Sequence, residues 1–539
     1  MNMISNRFLW FLLILQTTLA QSQSFEVKSG FISLESGIKL YHDLYLPMGQ
    51  KKIPTILIRT PYGKGGSKIF ASHFAKNGFS VVVQDVRGMG DSEGEFTSFN
   101  NEKSDGIATL AWINKQPWCN GDIGMWGSSY LAYSALIQAD SSNPSLKSVF
   151  SLSGWINGAK IMSPGGAFHQ MLAIPWLLLI GNTTKLSEQG ADLNEMFAHL
   201  PLKDAVPQGG LDSTPDVSFD YRSVSIPIFH MNGWYDFTLQ ANIDAFKKIS
   251  QSSSNDNQYM MLGPWYHNQI YDQNNMVGEY QIPEIGRMEI NQFLELATDW
   301  FQYTLNGKSF DYMIDDRINY YVMFHDEWQT TNTWPPKNKP RTFFLNKENQ
   351  LTSKKASKEI TANNYLFDPN NPTPTWGGAN FYALEGNIGI LDQKQIEERK
   401  DVVSFTSPAF SKSELIAGTI SVELYISTEG RGTDFTAKLT LVDKEGVSKN
   451  LTDDIIRLLP DSLKGKIEKV NFELPDIAFK VFQGEKVRLQ ISSSNYPKFN
   501  RNPNSGIDPL KAEKLMPVQQ SIIYSKKFPS KITLPIIKE

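Results

Sequence analysis

From residue 53 onward, short apolar runs alternate with stretches whose apolar positions recur at helical spacing. "PTILIRT" (54–60), "FSVVVQDVRG" (79–88), "DIGMWG" (122–127) and "LKSVFSLSG" (146–154) are short runs set off by turn residues, a pattern that predicts buried strands. Between them, "SKIFASHFAKNG" (67–78), "EKSDGIATLAWINKQ" (102–116) and the apolar run that follows Ser128 and Ser129 read as helices. This strand–helix rhythm predicts a mostly parallel sheet covered by helices on both faces.

The rhythm lapses over 155–223, where "MLAIPWLLLI" and "LNEMFAHL" are helical and no strand is evident. It resumes with the strand "IPIFHMNGW", a helix after Asp236 and the strand "YMMLGPW", and a long amphipathic helix, "MEINQFLELATDWFQYTLNG", closes this half. Beyond the Pro-rich "TWPPKNKPR", alternating runs such as "TISVELYIST" and "DFTAKLTLV" stand between Gly, Asp and Asn turns. They predict an antiparallel all-β domain of the sandwich or jelly-roll kind. The fold class expected is therefore α/β, with an α/β domain over 24–154 and 224–333, a helical cap over 155–223 and a C-terminal β jelly-roll domain over 338–539.

The first twenty residues fit none of these. One charge at Arg7, an apolar run from Phe8 to Leu15 and a small residue at Ala20 form the layout of a signal peptide over 1–20. The apolar run is too short to cross a bilayer. An exported protein follows as the expectation, periplasmic or secreted, without a membrane anchor. The lone Cys119 excludes an internal disulfide, and the triplets at Asn182 and Asn450 are candidate glycosylation acceptors in a eukaryotic host. A net charge of −4 and a pI near 6.1 speak against a nucleic-acid partner.

Candidate chemistry begins where a strand runs into Gly127, Ser128 and Ser129 before a helix. A nucleophilic serine needs such a turn, with small neighbours, to lift its oxygen above a sheet. The position two after Ser129 is Leu131, where the usual motif has glycine, so a plain helix cap by Ser128 or Ser129 stays open on this stretch alone. Downstream, "IPIFHMNGWYD" delivers Asp236 and "YMMLGPWYH" delivers His267, each just past the carboxyl end of a strand. Open α/β sheets place their ligands there, and the order Ser, Asp, His is that of α/β hydrolases. The six other histidines are expected in packing or surface roles, away from acids at metal-ligand spacing, and no metal or other cofactor is implied. The acidic turn "DVRGMGDSEGEF" lacks a P-loop lysine and reads as structural, shaped by ion pairs of its own.

Taken together, "RTPYGK", "QDVRGMGDSEGEF", "GSSYLA", "GWYD" and "GPWYH" resemble the CocE/NonD hydrolases, and "DVVSFTSPAF", "TDFTAKL" and "ISSSNYPKFNRNPNSG" resemble their C-terminal jelly roll. The resemblance covers nearly the whole chain. It implies Ser129 as nucleophile, His267 as base and Asp236 as the residue that orients it, with Ala132 where the family sets a small residue. An oxyanion would be held by the backbone N–H of Tyr130, just after the nucleophile, and by the hydroxyl of Tyr62.

The family runs acyl transfer to water, so the implied partner is a small-molecule or peptide acyl substrate. Relatives that grip an α-amino group place two carboxylates shortly after the aspartate. Here Phe237, Thr238 and Leu239 stand there, which counts against amino-acid esters. Trp155, Phe168 and Phe237 are candidate pocket residues, and a hydrophobic acyl ester is the preferred reading. X-Pro dipeptidyl-peptidase or acylase activity on amides is the alternative, and a non-catalytic carbohydrate or adhesion module is a remote one. Oligomeric state is left open.

Overall fold

The computed structural model describes residues 24–538, apart from 142, 208–217, 253–256, 314–315, 382–387 and 459–464. The export segment read over 1–20 lies outside the described residues. The first half is a ten-stranded sheet built from β1 (Phe25–Ser33), β2 (Lys39–Pro47), β3 (Ile53–Thr60), β4 (Ser80–Asp85), β5 (Cys119–Ser128), β6 (Leu146–Leu152), β7 (Ile228–Tyr235) and β8 (Gln258–Tyr266). A small hairpin, β9 (Met276–Val277) and β10 (Tyr280–Gln281), stands apart from it, and β11 (Ile318–Val322) and β12 (Glu327–Thr331) complete it.

The order across the sheet is β1-β2-β4-β3-β5-β6-β7-β8-β11-β12. From β4 to β11 all neighbours are parallel, and β1, β2 and β12 add antiparallel edges. Every residue of β4 and of β7 is buried, as parallel strands covered on both faces require. The covering helices are α1 (Lys68–Lys76), α2 (Glu102–Asn114) and α3 (Tyr130–Leu136). Among the described residues, four short α-helices lie between β6 and β7: α4 (Ala159–Met162), α5 (Gln170–Leu179), α6 (Lys185–Glu188) and α7 (Leu193–Ala198). Then follow α8 (Leu239–Ser252), α9 (Gln269–Asp272) and α10 (Ile290–Asn306). The apolar stripe of α10 buries Phe293, Leu296, Trp300 and Phe301.

Residues 338–537 form an eleven-stranded β domain. Its long strand Glu414–Thr428 pairs antiparallel with Glu468–Val481 and Lys531–Ile537. The two halves share one apolar core, since Trp234 of β7 stacks on Trp334 at 5.9 Å and Met323, just past β11, exchanges backbone hydrogen bonds with Ala478 and Lys480. The cap is gripped from the β domain too: Asn500 and Phe168 bond reciprocally, and Lys203 donates to the Leu510 carbonyl.

Two sequence expectations change at this level. Asn450 is buried in strand Ser448–Leu458, accepting from Leu391 N–H and donating to the Gly389 carbonyl, so a folded chain offers no acceptor there. The acidic turn after β4 takes its ion-pair partners from outside itself: Lys64, whose backbone N–H Asp85 accepts at 2.6 Å, pairs with Asp91, and Arg87 forks onto Asp105 of α2. Gly90 sits at φ 55° with its Cα against the Asp85 carboxylate, where an added Cβ would stand 2.3 Å from Oδ2. That carboxylate therefore anchors the neighbouring Thr60–Lys64 turn.

Candidate active site

Strand β5 ends in the tight turn that carries Ser129. Its backbone is held at φ 57° and ψ −123°, a conformation L-residues rarely adopt and one that costs about 1–3 kcal/mol. What holds it is the packing of strand against helix. A Cβ on Gly127 would lie 2.2 Å from the Leu131 carbonyl, so only glycine lets α3 rise this close to β5. The Ser129 N–H is tied back to the Leu152 carbonyl of β6 at 2.9 Å. Ala132 is fully buried where the helix leaves the turn.

Asp236 follows β7 and His267 follows β8, and adjacent parallel strands bring them together over the Ser129 turn. His267 Nδ1 lies 3.0 Å from both Asp236 carboxylate oxygens, and its Nε2 lies 3.0 Å from Ser129 Oγ. An ionised carboxylate cannot donate, so the Nδ1 proton sits between His267 and Asp236, and Nε2 presents its lone pair to the serine hydroxyl. Burial alone would raise the Asp236 carboxyl. The facing imidazole and hydrogen bonds from His267, Ser153 and the Thr238 backbone outweigh it and hold the carboxyl below its ordinary value.

Two of those partners escaped sequence reasoning. Ser153, the residue after β6, donates to Asp236 Oδ2 at 2.5 Å from a left-handed backbone (φ 54°). Thr238 donates to Oδ1 through both its N–H (2.8 Å) and its hydroxyl (2.9 Å). The Asp-x-Thr spacing was a usable signal, because an aspartate commonly caps the backbone two residues on. Ser153 offered none beyond its place at a strand end.

Tyr62 lies in the turn after β3. It is 41% exposed overall, but its hydroxyl end is enclosed by protein, which pushes the phenol up to about 12. That oxygen accepts the indole N–H of Trp176, on α5, at 3.0 Å. The Tyr130 ring turns away from Ser129: its hydroxyl accepts from Phe99 N–H at 3.0 Å and donates to Glu102, itself paired with buried Arg59. What Tyr130 leaves toward the serine is its backbone N–H, without an intrahelical partner at the first position of α3.

Of the pocket candidates, Phe237 stands with its ring 4.5 Å from the His267 imidazole. Trp155 and Phe168 lie in the apolar cluster beneath the cap together with Tyr130 and Trp176, Trp155 stacking on Tyr133 at 5.8 Å. Phe381 of the β domain, which sequence reasoning missed, comes edge-on to His267 at 5.7 Å and to Phe237 at 5.5 Å. A cavity of about 590 Å³ is lined by Asp236 and Phe237 together with His169, Asp454 and Phe472; neither Ser129 nor His267 lines it. Among the described residues, no group of His, Cys, Asp and Glu is placed to hold a metal ion.

Comparison with known proteins agrees with this architecture. Residues 36–269 match the model of the X-Pro dipeptidyl-peptidase (S15 family), and residues 314–533 that of the X-Pro dipeptidyl-peptidase C-terminal non-catalytic domain. The chain is 28% identical to cocaine esterase from Rhodococcus sp. (strain MB1 Bresler), over 94% of this chain and 98% of that one. Its fold follows a solved α-amino acid ester hydrolase with a TM-score of 0.78 at 21% identity, covering 99% and 100% of the two chains. It also follows a CocE/NonD family hydrolase from Staphylococcus aureus, with a TM-score of 0.68 at 16% identity over 95% and 94%. An α/β-hydrolase sheet, the S15 match and the C-terminal β domain in one chain lead to one conclusion: it belongs to the CocE/NonD serine hydrolases, enzymes of the S15 family acting on ester or amide bonds.

Proposed function

We propose that the chain is an exported hydrolase that cleaves acyl esters through Ser129, His267 and Asp236. The observation that carries this is the pair of 3.0 Å contacts at His267, one to Ser129 Oγ and one to the Asp236 carboxylate. As Ser129 Oγ attacks the substrate carbonyl carbon, Nε2 takes its proton, and Asp236 stabilises the imidazolium that forms. The carbonyl oxygen becomes an oxyanion, held by the Tyr130 N–H and the Tyr62 hydroxyl. Collapse expels the alcohol, which takes the proton from Nε2 and leaves an acyl-serine. Water repeats the sequence with His267 as base again, releasing the acid and free serine.

The preferred acyl group is hydrophobic. Phe237 and Phe381 wall the imidazole, and the stretch after Asp236 offers Thr238, whose hydroxyl is already spent on Asp236, and buried Leu239. Export rests on the sequence of residues 1–20. The assignment is tested with a fluorophosphonate probe: labelling is expected to vanish in Ser129→Ala and persist in Ser128→Ala, whereas labelling of folded Ser129→Ala would overturn it. A panel of short and long nitrophenyl esters, Xaa-Pro anilides and a glutaryl amide then ranks substrates against the Ser129→Ala background. Turnover of the Xaa-Pro anilides ahead of every ester would replace the ester reading with a peptidase one.

A further inference from the structure

The reaction just described asks the Tyr62 hydroxyl to donate to an oxyanion, and the geometry around that hydroxyl shows what would make it able to. Tyr62 sits in a half-open turn, and a phenol on two free torsions is a poorly aimed donor. Its backbone is fixed, through its N–H bond to Thr60 Oγ1 at 3.1 Å and the Lys64–Asp85 anchor two residues on. Its oxygen is held by one group among the described residues, the Trp176 indole, at 3.0 Å.

An indole N–H can only donate, so in this contact the phenol oxygen is the acceptor and its own proton stays uncommitted. A hydroxyl that accepts one hydrogen bond also donates a stronger one, because the two polarise each other. Trp176 is itself immobilised. It stacks on Phe99 (5.7 Å, 17°) and on the ring of Tyr130 (5.8 Å, 22°), and that ring is bolted down by Phe99 N–H and Glu102. One indole thus touches the side chains of both residues that supply oxyanion donors. Its helix, α5, belongs to the cap, whose approach is pinned to the β domain by the reciprocal Phe168–Asn500 bonds.

We infer that Trp176 is a positioning residue of the reaction: it aims the Tyr62 hydroxyl and ties the alignment of the oxyanion donors to the seating of the cap. The inference rests on the reading of Tyr62 as an oxyanion donor. Trp176→Phe removes the N–H while keeping an aromatic ring for the stack. On a nitrophenyl acetate, whose acyl group is too short to use an apolar pocket, kcat is expected to fall about tenfold with KM changed less than about threefold. This is a fraction of the ~10²–10³-fold that follows outright loss of one oxyanion donor.

Combining variants separates the possibilities. In a Tyr62→Phe background, Trp176→Phe should lower kcat no further. If Tyr62→Phe is slow but Trp176→Phe lowers kcat by the same factor in both backgrounds, or changes KM alone, the positioning role is wrong while the reading of Tyr62 stands. If Tyr62→Phe is as fast as the parent enzyme, the reading of Tyr62 fails and takes this inference with it. Should Trp176→Phe not fold, Trp176→His keeps a ring N–H and is expected to hold kcat within a few-fold of the parent. A folded Trp176→His as slow as Tyr62→Phe would overturn the role.

Discussion

The proposed site has two sides that are held in different ways. On the acid–base side, Asp236 and His267 come from the ends of adjacent strands, are 2% and 6% exposed, and are braced by Ser153 and Thr238 from the same sheet rim. On the oxyanion side, Tyr62 is far more open, and its hydroxyl is held by a cap residue more than a hundred positions away in sequence. On the proposed mechanism, proton transfer is thus built into the framework of the sheet, whereas charge stabilisation depends on an inserted element being in place. A tolerance to loop movement follows for the first side and a sensitivity to it for the second.

The sharpest break of this comparison is on the framework side. Asp236→Asn keeps the shape but reverses the hydrogen-bond polarity at Nδ1, which favours the tautomer whose Nε2 bears the proton and cannot act as a base. A loss of about 10⁴-fold in kcat is expected, with KM little changed, by analogy with the same change in other serine hydrolases. Steady-state kinetics on a nitrophenyl ester decides it, and an Asp236→Asn enzyme within tenfold of the parent would remove Asp236 from the proposed mechanism. Next in size is Tyr62→Phe, which deletes the oxyanion donor: about 10²–10³-fold in kcat is expected. If the cap were irrelevant to this side, Tyr62→Phe and Trp176→Phe would act independently.

The same division governs what could be read from the sequence. Strands β3 to β8 were legible because parallel strands buried on both faces leave near-continuous apolar runs, and their order carries Ser129, Asp236 and His267 to one rim. The contacts that hold the oxyanion side were not. Trp176 was visible only as one apolar residue in the helix "MLAIPWLLLI", and nothing in helical spacing says that its N–H meets Tyr62. Phe381 was hidden for the same reason, since it reaches His267 through the docking of two domains and not through local pattern. The antiparallel edges β1, β2 and β12 also escaped, because they mix polar with apolar residues and lack the strong apolar signature of the central strands.

A smaller effect tests how closely the framework side is braced. Ser153→Ala removes the 2.5 Å donor to Asp236 and leaves the two from Thr238. With one stabilising hydrogen bond fewer, the carboxyl is expected to rise toward its ordinary value. Asp236 would then protonate at higher pH, so the acidic limb of the kcat/KM profile should move upward while the plateau falls only a few-fold. A profile superimposable on the parent's would show that Ser153 does not tune the Asp236 carboxyl.

The smallest expected effect on activity belongs to Asp454, in the wall of the cavity that Asp236 also lines, where the β domain meets the loop after β7. Burial raises its carboxyl to about 7, against the Ile455 N–H and Lys498; Asp453 adds to the rise and Lys160 opposes it. Because the folded chain keeps this proton to higher pH than the unfolded chain, whose aspartates titrate near ~3.9, folding binds a proton between the two values. Stability should therefore fall as pH rises from about 4 to about 7, and the full penalty should persist above that. Asp454→Asn deletes the ionisable group. Its melting temperature is expected to exceed the parent's at pH 8, with the gap closing toward pH 4 and kcat hardly altered. A gap that stays constant with pH would mean that this carboxyl is ionised in the folded protein throughout. The domain interface would then carry a charge in the wall of the same cavity that Asp236 lines.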